Sequence, residues 1–377
     1  MSEALDPVWK ELRGQFPATQ EWVYLNAAAA SPVPRVVSEA VTGFYRDLET
    51  GGDRLWEDWL GRVEHIRHQV ARFVGAAEPG EIAFVQNTST GMNLIVDLLA
   101  GDGPVLSDEM EFPTVTLPWI HRGVHVNLVP AIEGVIRIES FSPEYAPKAA
   151  TMLLSHVQFT NGCRLDLERF GAIKAGRHFV VCASQSAGAF PLDVQKAEID
   201  ALVTAGHKWM CAGYGAGFVY VKRELFEKHP PRAIGWLSVQ DPFLFDNLSV
   251  RLLPSMRRTE MGCPPFGPIF ALGAALELLS GIGIEKIAER VLYLNEYLTF
   301  RLERKGFPVL SPGEGFRSGQ TLVEVERPAD AVAFLKERKI LVTEKPEGIR
   351  VATHFFNSED DCEALVRALA EYARQAV

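Results

Sequence analysis

The feature that most constrains the fold is the alternation of short apolar runs with helical stretches through the middle of the chain. Five short apolar runs are predicted to be strands, since they are too short for helices. The predicted strands are His178–Cys182 (HFVVC), Ala201–Val203, Gly217–Val221 (GFVYV), Glu81–Gln86 and Met152–Gln158, and the predicted helices between them are Met92–Ala100 and Leu165–Ala175. Such an order favours a mostly parallel sheet covered by helices, so the sequence predicts an α/β fold.

The pattern changes after about residue 265, where helices dominate and strands become few. Ser358 followed by Asp361 predicts a capping box at the start of the last helix. The predicted elements are helices Pro268–Leu279, Glu285–Lys305, Ala329–Lys339 and Glu359–Gln375, with strands Thr321–Val325 and Gly348–Thr353. We therefore expect a large domain over residues 18–275 and a small α+β domain over 276–377, on which residues 1–17 pack.

Length and charge exclude several classes of protein. The 377 residues suffice for two domains, and 38 basic against 48 acidic residues give a net charge of −10. An acidic chain has no general attraction for nucleic acid or anionic membrane, so we expect neither as a partner. The five cysteines are an odd number at low density, and the N-terminus lacks a basic and then apolar signal. Both features predict a cytoplasmic protein in a reducing compartment.

The segment AGHKWMCAGYGAG, residues 205–217, carries a lysine among small and aromatic neighbours. Lys208 directly follows an apolar run, and a buried amine loses proton affinity and becomes a nucleophile toward carbonyls, as Schiff-base chemistry requires. The alternative is a lysine whose ammonium reaches solvent from a loop. The glycines after Lys208 open a strand rather than a helix, so they are no dinucleotide-binding loop.

A second segment, Asn87–Gly91 (NTSTG), lies between a predicted strand and a predicted helix. The hydroxyls of Thr88 and Ser89, with free backbone N–H groups at a helix start, suit a phosphate group. Simple N-capping by Thr88 or Ser89 is the alternative.

Three further positions are candidates for ligand contacts. Cys182 ends a predicted strand and Gln185 follows it, at the edge where open α/β sheets bind ligands, although an ordinary strand-to-loop transition is the alternative. Arg350 could bind a carboxylate with two hydrogen bonds, or be a solvated strand end. Phe112 could stack on a planar ligand, or serve packing alone.

No metal site is predicted. His65 and His68 share a helix face, but no third ligand accompanies them at a recognisable spacing.

Taken in order, these segments resemble one family: TSTG at a helix start, an EF loop, an SHVQ strand, a strand end reading QSAG, and GHKW before a Gly-rich strand. The chain resembles the class V aminotransferase group of pyridoxal 5′-phosphate (PLP) enzymes, which includes cysteine desulfurases and isopenicillin-N-epimerase-like proteins. The resemblance spans nearly the whole chain. It implies fold type I, with a mostly parallel seven-stranded sheet in the large domain.

The resemblance also implies roles for individual residues. Lys208 corresponds to the lysine that forms the Schiff base and moves protons. The cofactor contacts it implies are Thr88, Ser89 and His207 at the phosphate, Phe112 on the ring, Gln185 near the ring hydroxyl, Cys182 at the ring nitrogen, and Cys263 at the phosphate of the partner subunit. Arg350, Asn26, Ala28 and Asn161 are placed at the substrate. A homodimer with shared active sites follows from the position of Cys263.

Two departures from the family bear on the reaction. The family places an aspartate where this chain has Cys182, and a thiol is no reliable counter-ion for a protonated ring nitrogen. The catalytic cysteine loop of the desulfurases corresponds to TEKPEG, residues 343–348, which contains no cysteine. We therefore expect no persulfide chemistry.

The sequence thus predicts a PLP-dependent enzyme that acts on an amino acid or small amine by transamination, racemisation or elimination. The alternative is a catalytically silent or regulatory protein that keeps the fold, because Cys182 replaces the aspartate.

Overall fold

The computed structural model describes residues 7–376. The first half of the chain contains α1 (Pro7–Gly14), α2 (Ala18–Glu21), β1 (Val23–Tyr24), α3 (Arg35–Gly51), α4 (Trp56–Val74), β2 (Ile82–Val85), α5 (Thr88–Leu99), β3 (Val105–Asp108), α6 (Pro113–His121), β4 (Val126–Val129), β5 (Thr151–Ser155), α7 (Leu167–Ala172) and β6 (His178–Cys182). The second half contains β7 (Ala201–Ala205), β8 (Gly217–Val221), α8 (Arg223–Lys228), α9 (Phe266–Ile282), α10 (Ile284–Glu303), β9 (Gln320–Glu324), α11 (Pro328–Glu337), β10 (Ile340–Leu341), β11 (Thr343–Lys345), β12 (Gly348–Ala352) and α12 (Glu359–Ala376).

A seven-stranded sheet in the order β2-β8-β7-β6-β5-β3-β4 forms the centre of the molecule. Strands β3 to β7 run parallel to one another, whereas β8 is antiparallel to both β7 and β2. Ser155, Cys182 and Val203 are consecutive partners across β5, β6 and β7, so these strands end at one edge. The predicted α/β fold with a mostly parallel seven-stranded sheet is confirmed.

Both faces of this sheet are buried. Along β6, Phe179 and Val181 belong to one apolar core, whereas Val180 and Cys182 belong to another. This separation follows from the two-residue period of a strand. Helices α3, α4 and α9 pack together on the first face, and α5 packs on β7 and β8 on the second. Burial on both sides explains why β6 after His178, and β8, are continuously apolar runs.

A smaller three-stranded sheet, β11-β12-β9, follows α10 and shares an apolar core with α10, α11 and α12. The predicted capping box at α12 is confirmed, because the Asp361 N–H donates to Ser358 Oγ and the Ser358 N–H donates to Asp361 Oδ2. The predicted boundary at 275/276 falls inside α9, and the chain bends by 80° between α9 and α10. The division into two domains stays a prediction.

Residues 7–17 contact the C-terminal region, while residues 1–6 of the predicted N-terminal segment lie outside the described part of the chain. The Arg13 guanidinium forms an ion pair with Asp361 at 2.6 Å, and the Phe16 ring packs on the rings of Phe355 and Phe356.

Across residues 7–376, we find no single helix with the length and apolar composition needed to cross a bilayer. Only the bent pair α9 and α10, taken together, meets that requirement.

Gly91 lets α5 lie against the sheet. A Cβ atom at this position would lie 2.5 Å from Val203 Cγ2 and 2.8 Å from Val219 Cγ1. Since these methyl groups are fixed near the backbone of buried strands, they have little freedom to move. Gly61, in the exposed part of α4, has no atom within 4 Å of the position that a Cβ would take, so it makes a matched control.

We expect Gly91→Ala to lower the free energy of unfolding by about 1–3 kcal/mol through overpacking. Gly61→Ala should raise it by about 0.5–1 kcal/mol, since alanine loses less backbone entropy in a helix. Urea denaturation of both variants measures the difference. Equal stabilisation by the two substitutions would contradict this packing of α5.

Candidate active site

A cavity of about 370 Å³ opens where β6 and β7 end and α5 begins. Its position at the carboxyl edge of parallel strands is the one at which open α/β sheets bind ligands. The predicted site residues that line it are Ala28, Thr88, Ser89, Phe112, Cys182, Gln185, His207, Lys208 and Arg350. Nine residues predicted from separate segments thus meet in one place.

Lys208 lies in the turn that follows β7, and its side chain is largely buried. Burial lowers the pKa of its amine to about 8, and the nearby Arg350 guanidinium acts in the same direction, while Cys182 opposes the shift. A larger fraction of the amine is therefore unprotonated at neutral pH than for an exposed lysine. The alternative was a lysine whose ammonium reaches solvent from a loop. The structure instead places Lys208 in the lining of the cavity.

The start of α5 presents hydroxyl groups to the cavity. Asn87, rather than Thr88 or Ser89, caps the helix, since Asn87 Oδ1 accepts from the Thr90 N–H at 2.9 Å. The Thr88 hydroxyl instead bonds Ser184 Oγ at 2.7 Å, and the Ser89 hydroxyl bonds Thr114 Oγ1 at 2.8 Å. The capping alternative thus fails for both residues, which leaves a helix N-terminus suited to an anion.

Cys182 ends β6 and forms part of the cavity floor. Its thiol donates to Ser184 Oγ at 3.3 Å, which links it to the Thr88 hydroxyl through Ser184. Burial raises the pKa of the Cys182 thiol, and the negative charge of Glu111 raises it further. The group at the end of β6 is therefore a neutral thiol at physiological pH.

A buried carboxyl pair lies behind this floor. Glu111 accepts hydrogen bonds from the N–H and the hydroxyl of Ser155, the register partner of Cys182. Gln158 Nε2 donates to Asp108 Oδ2 at 2.9 Å and to Glu111 Oε1 at 3.3 Å. Burial raises the pKa of both carboxyls, and the charge of Glu111 adds to the shift at Asp108. Two adjacent buried carboxyls resist simultaneous ionisation.

Gln185 holds two loops at the cavity together. Its amide nitrogen donates to the Ala28 carbonyl at 2.9 Å, and its amide oxygen accepts from Trp209 Nε1 at 2.8 Å. Since Trp209 follows Lys208, this amide joins the N-terminal loop to the loop that carries the buried amine. The His207 ring stacks on Tyr214, and burial lowers its pKa to about 4, so the imidazole is neutral.

Phe159 connects the aromatic and cationic walls of the cavity. Its ring meets the Phe112 ring edge-on at 5.1 Å, and its carbonyl accepts from Arg350 Nη1 at 2.8 Å. Arg350 Nε is buried without a hydrogen-bond partner in the described chain. Burial lowers the pKa of this guanidinium to about 10, which still leaves it protonated. An unsatisfied buried donor of this kind favours an anionic ligand.

Three predicted site residues lie outside the cavity lining. Asn26 Oδ1 accepts from the Thr343 hydroxyl, whereas Asn161 Nδ2 donates to the Gly134 carbonyl and Asn161 Oδ1 accepts from the Cys163 N–H. Asn26 therefore bonds another side chain, and Asn161 bonds two backbone segments. Cys263 is exposed before α9, away from the cavity of its own subunit.

The structure adds residues that the motifs missed, chiefly Lys345, Phe159 and Ser184. Lys345 ends β11 and is joined to β12 by a two-residue turn, with Lys345 opposite Gly348. In the sequence, the short segment Pro346–Gly348 (PEG) predicts a tight turn. It does not predict where the side chain of Lys345 extends.

A second cluster of polar groups lies at the opposite end of β6. Asp102 Oδ2 is 2.8 Å from His178 Nε2 and 3.3 Å from His229 Nε2. Of the described residues, only these three form a grouping that could hold a metal ion. His178 begins β6 whereas Cys182 ends it, so this cluster is separate from the cavity.

Known proteins share the length and the fold of this chain. An uncharacterized aminotransferase of Bacillus subtilis is 27% identical to the chain, over 96% of the chain and 97% of the relative. Among solved structures, the apo cysteine desulfurase of Thermococcus onnurineus matches with a TM-score of 0.89 at 24% identity over 100% of both chains. A variant of the cystine C–S lyase C-DES, with glycine covalently linked to its PLP cofactor, matches with a TM-score of 0.88 at 22% identity, over 95% of this chain and 99% of the other.

The two solved structures indicate the shared fold. The family model described as aminotransferase class-V matches residues 23–373, which is almost all of the chain. The match covers the buried lysine, the helix start of α5 and the arginine of β12. The resemblance drawn from the motifs is confirmed, and the chain belongs to the class V aminotransferase family.

Proposed function

We propose that this chain is a PLP-dependent enzyme that acts on an amino acid or a small amine by transamination, racemisation or elimination. The observation that carries the proposal is the amine of Lys208, buried at the carboxyl edge of the sheet with a pKa lowered to about 8. Its cofactor is pyridoxal 5′-phosphate, in line with the family to which the chain belongs.

The cavity fits this cofactor on the chemistry of its lining. A phosphate needs N–H and hydroxyl donors, and the start of α5 supplies Thr88 and Ser89 beside the neutral imidazole of His207. An aldehyde needs a nucleophilic amine, which Lys208 supplies. A flat ring needs an apolar wall, and Phe112, 47% exposed at the cavity edge, supplies one.

When bound, the cofactor draws electrons from the carbon next to the substrate nitrogen, so that a bond to this carbon breaks more easily. The protein supplies positioning and proton transfer. Lys208 Nζ holds a proton weakly because it is buried, so it can accept one from substrate and return it. Arg350 holds the substrate carboxylate through its unpartnered Nε, with Nη1 fixed by the Phe159 carbonyl.

The neutral Cys182 thiol bears on the reaction type. A neutral hydrogen-bond donor at the ring nitrogen stabilises less negative charge on the ring than a carboxylate does. Glu111 lies near enough to raise the Cys182 pKa, but its oxygens are occupied by Ser155 and Gln158. The hairpin β11–β12 replaces the cysteine loop of the desulfurases, so the proposal excludes persulfide formation.

A catalytically silent protein is the second candidate, favoured by Cys182 alone. Turnover across a panel of amino acids distinguishes the two. Retention of Lys208, His207, Gln185 and Arg350 around one cavity supports the enzyme.

We also infer a cytoplasmic homodimer with shared active sites. An exposed apolar segment over residues 234–250 includes Phe245, 72% exposed, and Leu248, 93% exposed. The Leu237 N–H donates to the Met261 carbonyl, which places Cys263 beside this segment. Contiguous exposed apolar surface of this kind is typical of an interface.

Lys208→Ala tests the cofactor attachment. The wild-type protein with PLP should show a visible absorbance band that disappears on borohydride reduction, because the cofactor is linked to a protein amine. Lys208→Ala should lack the band, while Lys336→Ala, on the exposed side of α11, should keep it. A wild-type protein that does not bind PLP would contradict the proposal.

Cys182→Asp tests the ring-nitrogen assignment. We expect the aspartate to raise any transamination or racemisation rate by about tenfold or more, since a carboxylate keeps the ring protonated. Cys182→Ser, which is neutral, serves as the control and should leave the rate near that of wild type. An unchanged or lower rate in Cys182→Asp would show that this position is not the partner of the ring nitrogen.

Sedimentation velocity tests the dimer. Phe245→Asp combined with Leu248→Asp should convert a dimer to a monomer, because charges would be buried without partners at the interface. Phe300→Asp, similarly exposed on α10, is the control and should leave a dimer. The inference fails if the wild-type protein sediments as a monomer.

A further inference from the structure

The cavity lining carries an excess of positive charge. Its cationic side chains are Lys208, Lys345 and Arg350, and no aspartate or glutamate of the described chain lines it. In the proposed function, on which this inference rests, Lys208 takes the cofactor and Arg350 takes the substrate α-carboxylate. The ammonium group of Lys345 is left without a counter-charge.

The position of Lys345 is set by a tight hairpin. Lys345 is the last residue of β11, paired with Gly348 across a turn of only two residues. Its Nζ lies 4.3 Å from the centroid of the Phe159 ring, a cation–π contact at the cavity wall. Because Phe159 also holds Arg350 through its carbonyl, the two cations flank one aromatic residue.

The surroundings do not compensate the charge of Lys345. Burial lowers the pKa of its amine to about 8, with Arg350 and Lys208 acting in the same direction and only the exposed Glu347 opposing. No carboxylate of residues 7–376 lies within 4 Å of its nitrogen as an ion pair, and the Arg350 Nε lacks a partner as well. A dianionic ligand that reached both groups would relieve repulsion and form two charge-assisted contacts.

We propose that Lys345 forms a subsite for a second carboxylate of the substrate, so that the enzyme acts on amino acids with an acidic side chain. Arg350 binds the α-carboxylate, and Lys345, across the Phe159 ring, binds the side-chain carboxylate. In this chain, the β11–β12 hairpin takes the place of the cysteine loop of the desulfurases. In place of a reactive cysteine it carries the ammonium group of Lys345, which selects the substrate.

Spectral titration of the PLP-loaded protein tests the subsite. Binding constants for L-glutamate and L-aspartate are compared with those for L-glutamine and L-asparagine, which have similar shape and no side-chain charge. The wild-type protein should bind the acidic member of each pair about tenfold or more tightly, as expected for a charge-assisted contact.

Lys345→Met removes the charge and keeps an apolar chain on Phe159, whereas Lys345→Arg keeps the charge. The methionine variant should lose the tenfold preference and bind the neutral amino acids as wild type does, within about twofold. The arginine variant should retain the preference. Calorimetric binding of glutarate, which has two carboxylates and no amine, should weaken in parallel in Lys345→Met and gives a readout independent of turnover.

The possible failures are distinguishable. A protein that binds PLP and amino acids without preferring the acidic ones overturns the subsite and leaves the proposed function standing. A preference that survives in Lys345→Met also overturns it, as would occur if another cation, or a partner-subunit residue, set the specificity. A protein that does not bind PLP overturns the proposed function and the subsite together.

Discussion

The parallel pairing of β5, β6 and β7 determines where the candidate active site lies. Because these strands run the same way in register, Ser155, Cys182 and Val203 lie side by side and the chain leaves the sheet at one edge. The loop that carries Lys208 follows β7 at this edge. Residues far apart in the sequence are thus gathered by one arrangement of hydrogen bonds.

Desolvation then gives these residues their chemical character. The same burial that stabilises the sheet lowers the pKa of Lys208 to about 8 and that of His207 to about 4, and raises the pKa of the Cys182 thiol. The cavity therefore combines a weakly basic amine, a neutral imidazole and a neutral thiol. Arg350 remains cationic because the guanidinium starts from a much higher pKa.

Much of the fold could be predicted from the sequence, because its central strands are buried on both faces. The predicted strands His178–Cys182 and Gly217–Val221 match β6 and β8 residue for residue. Two strands of this sheet were missed. Strand β3 has only four residues and ends in the polar Ser107 and Asp108, and in the edge strand β4 Asn127 interrupts the apolar run and Leu128 is exposed. An edge strand buries less and leaves a weaker pattern.

Part of the site could be predicted for a related reason. Lys208, Thr88 and Gln185 follow strands, and a parallel sheet brings such positions to one edge. Asn26 and Asn161 were also predicted to contact a ligand, but their side chains form hydrogen bonds within the protein. No local sequence pattern distinguishes an asparagine that binds a ligand from one that stabilises the fold. Lys345 was missed because its entry into the cavity depends on the pairing of β11 with β12, a contact made only in the folded chain.

Two lysines line the cavity, and we propose that Lys208 alone holds the cofactor. Borohydride reduction of the PLP-loaded protein fixes the cofactor to its lysine, and mass spectrometry of the proteolytic peptides then locates the label. We expect a single pyridoxyl group on the peptide that contains Lys208. A label on Lys345, on any other lysine, or on none would contradict it.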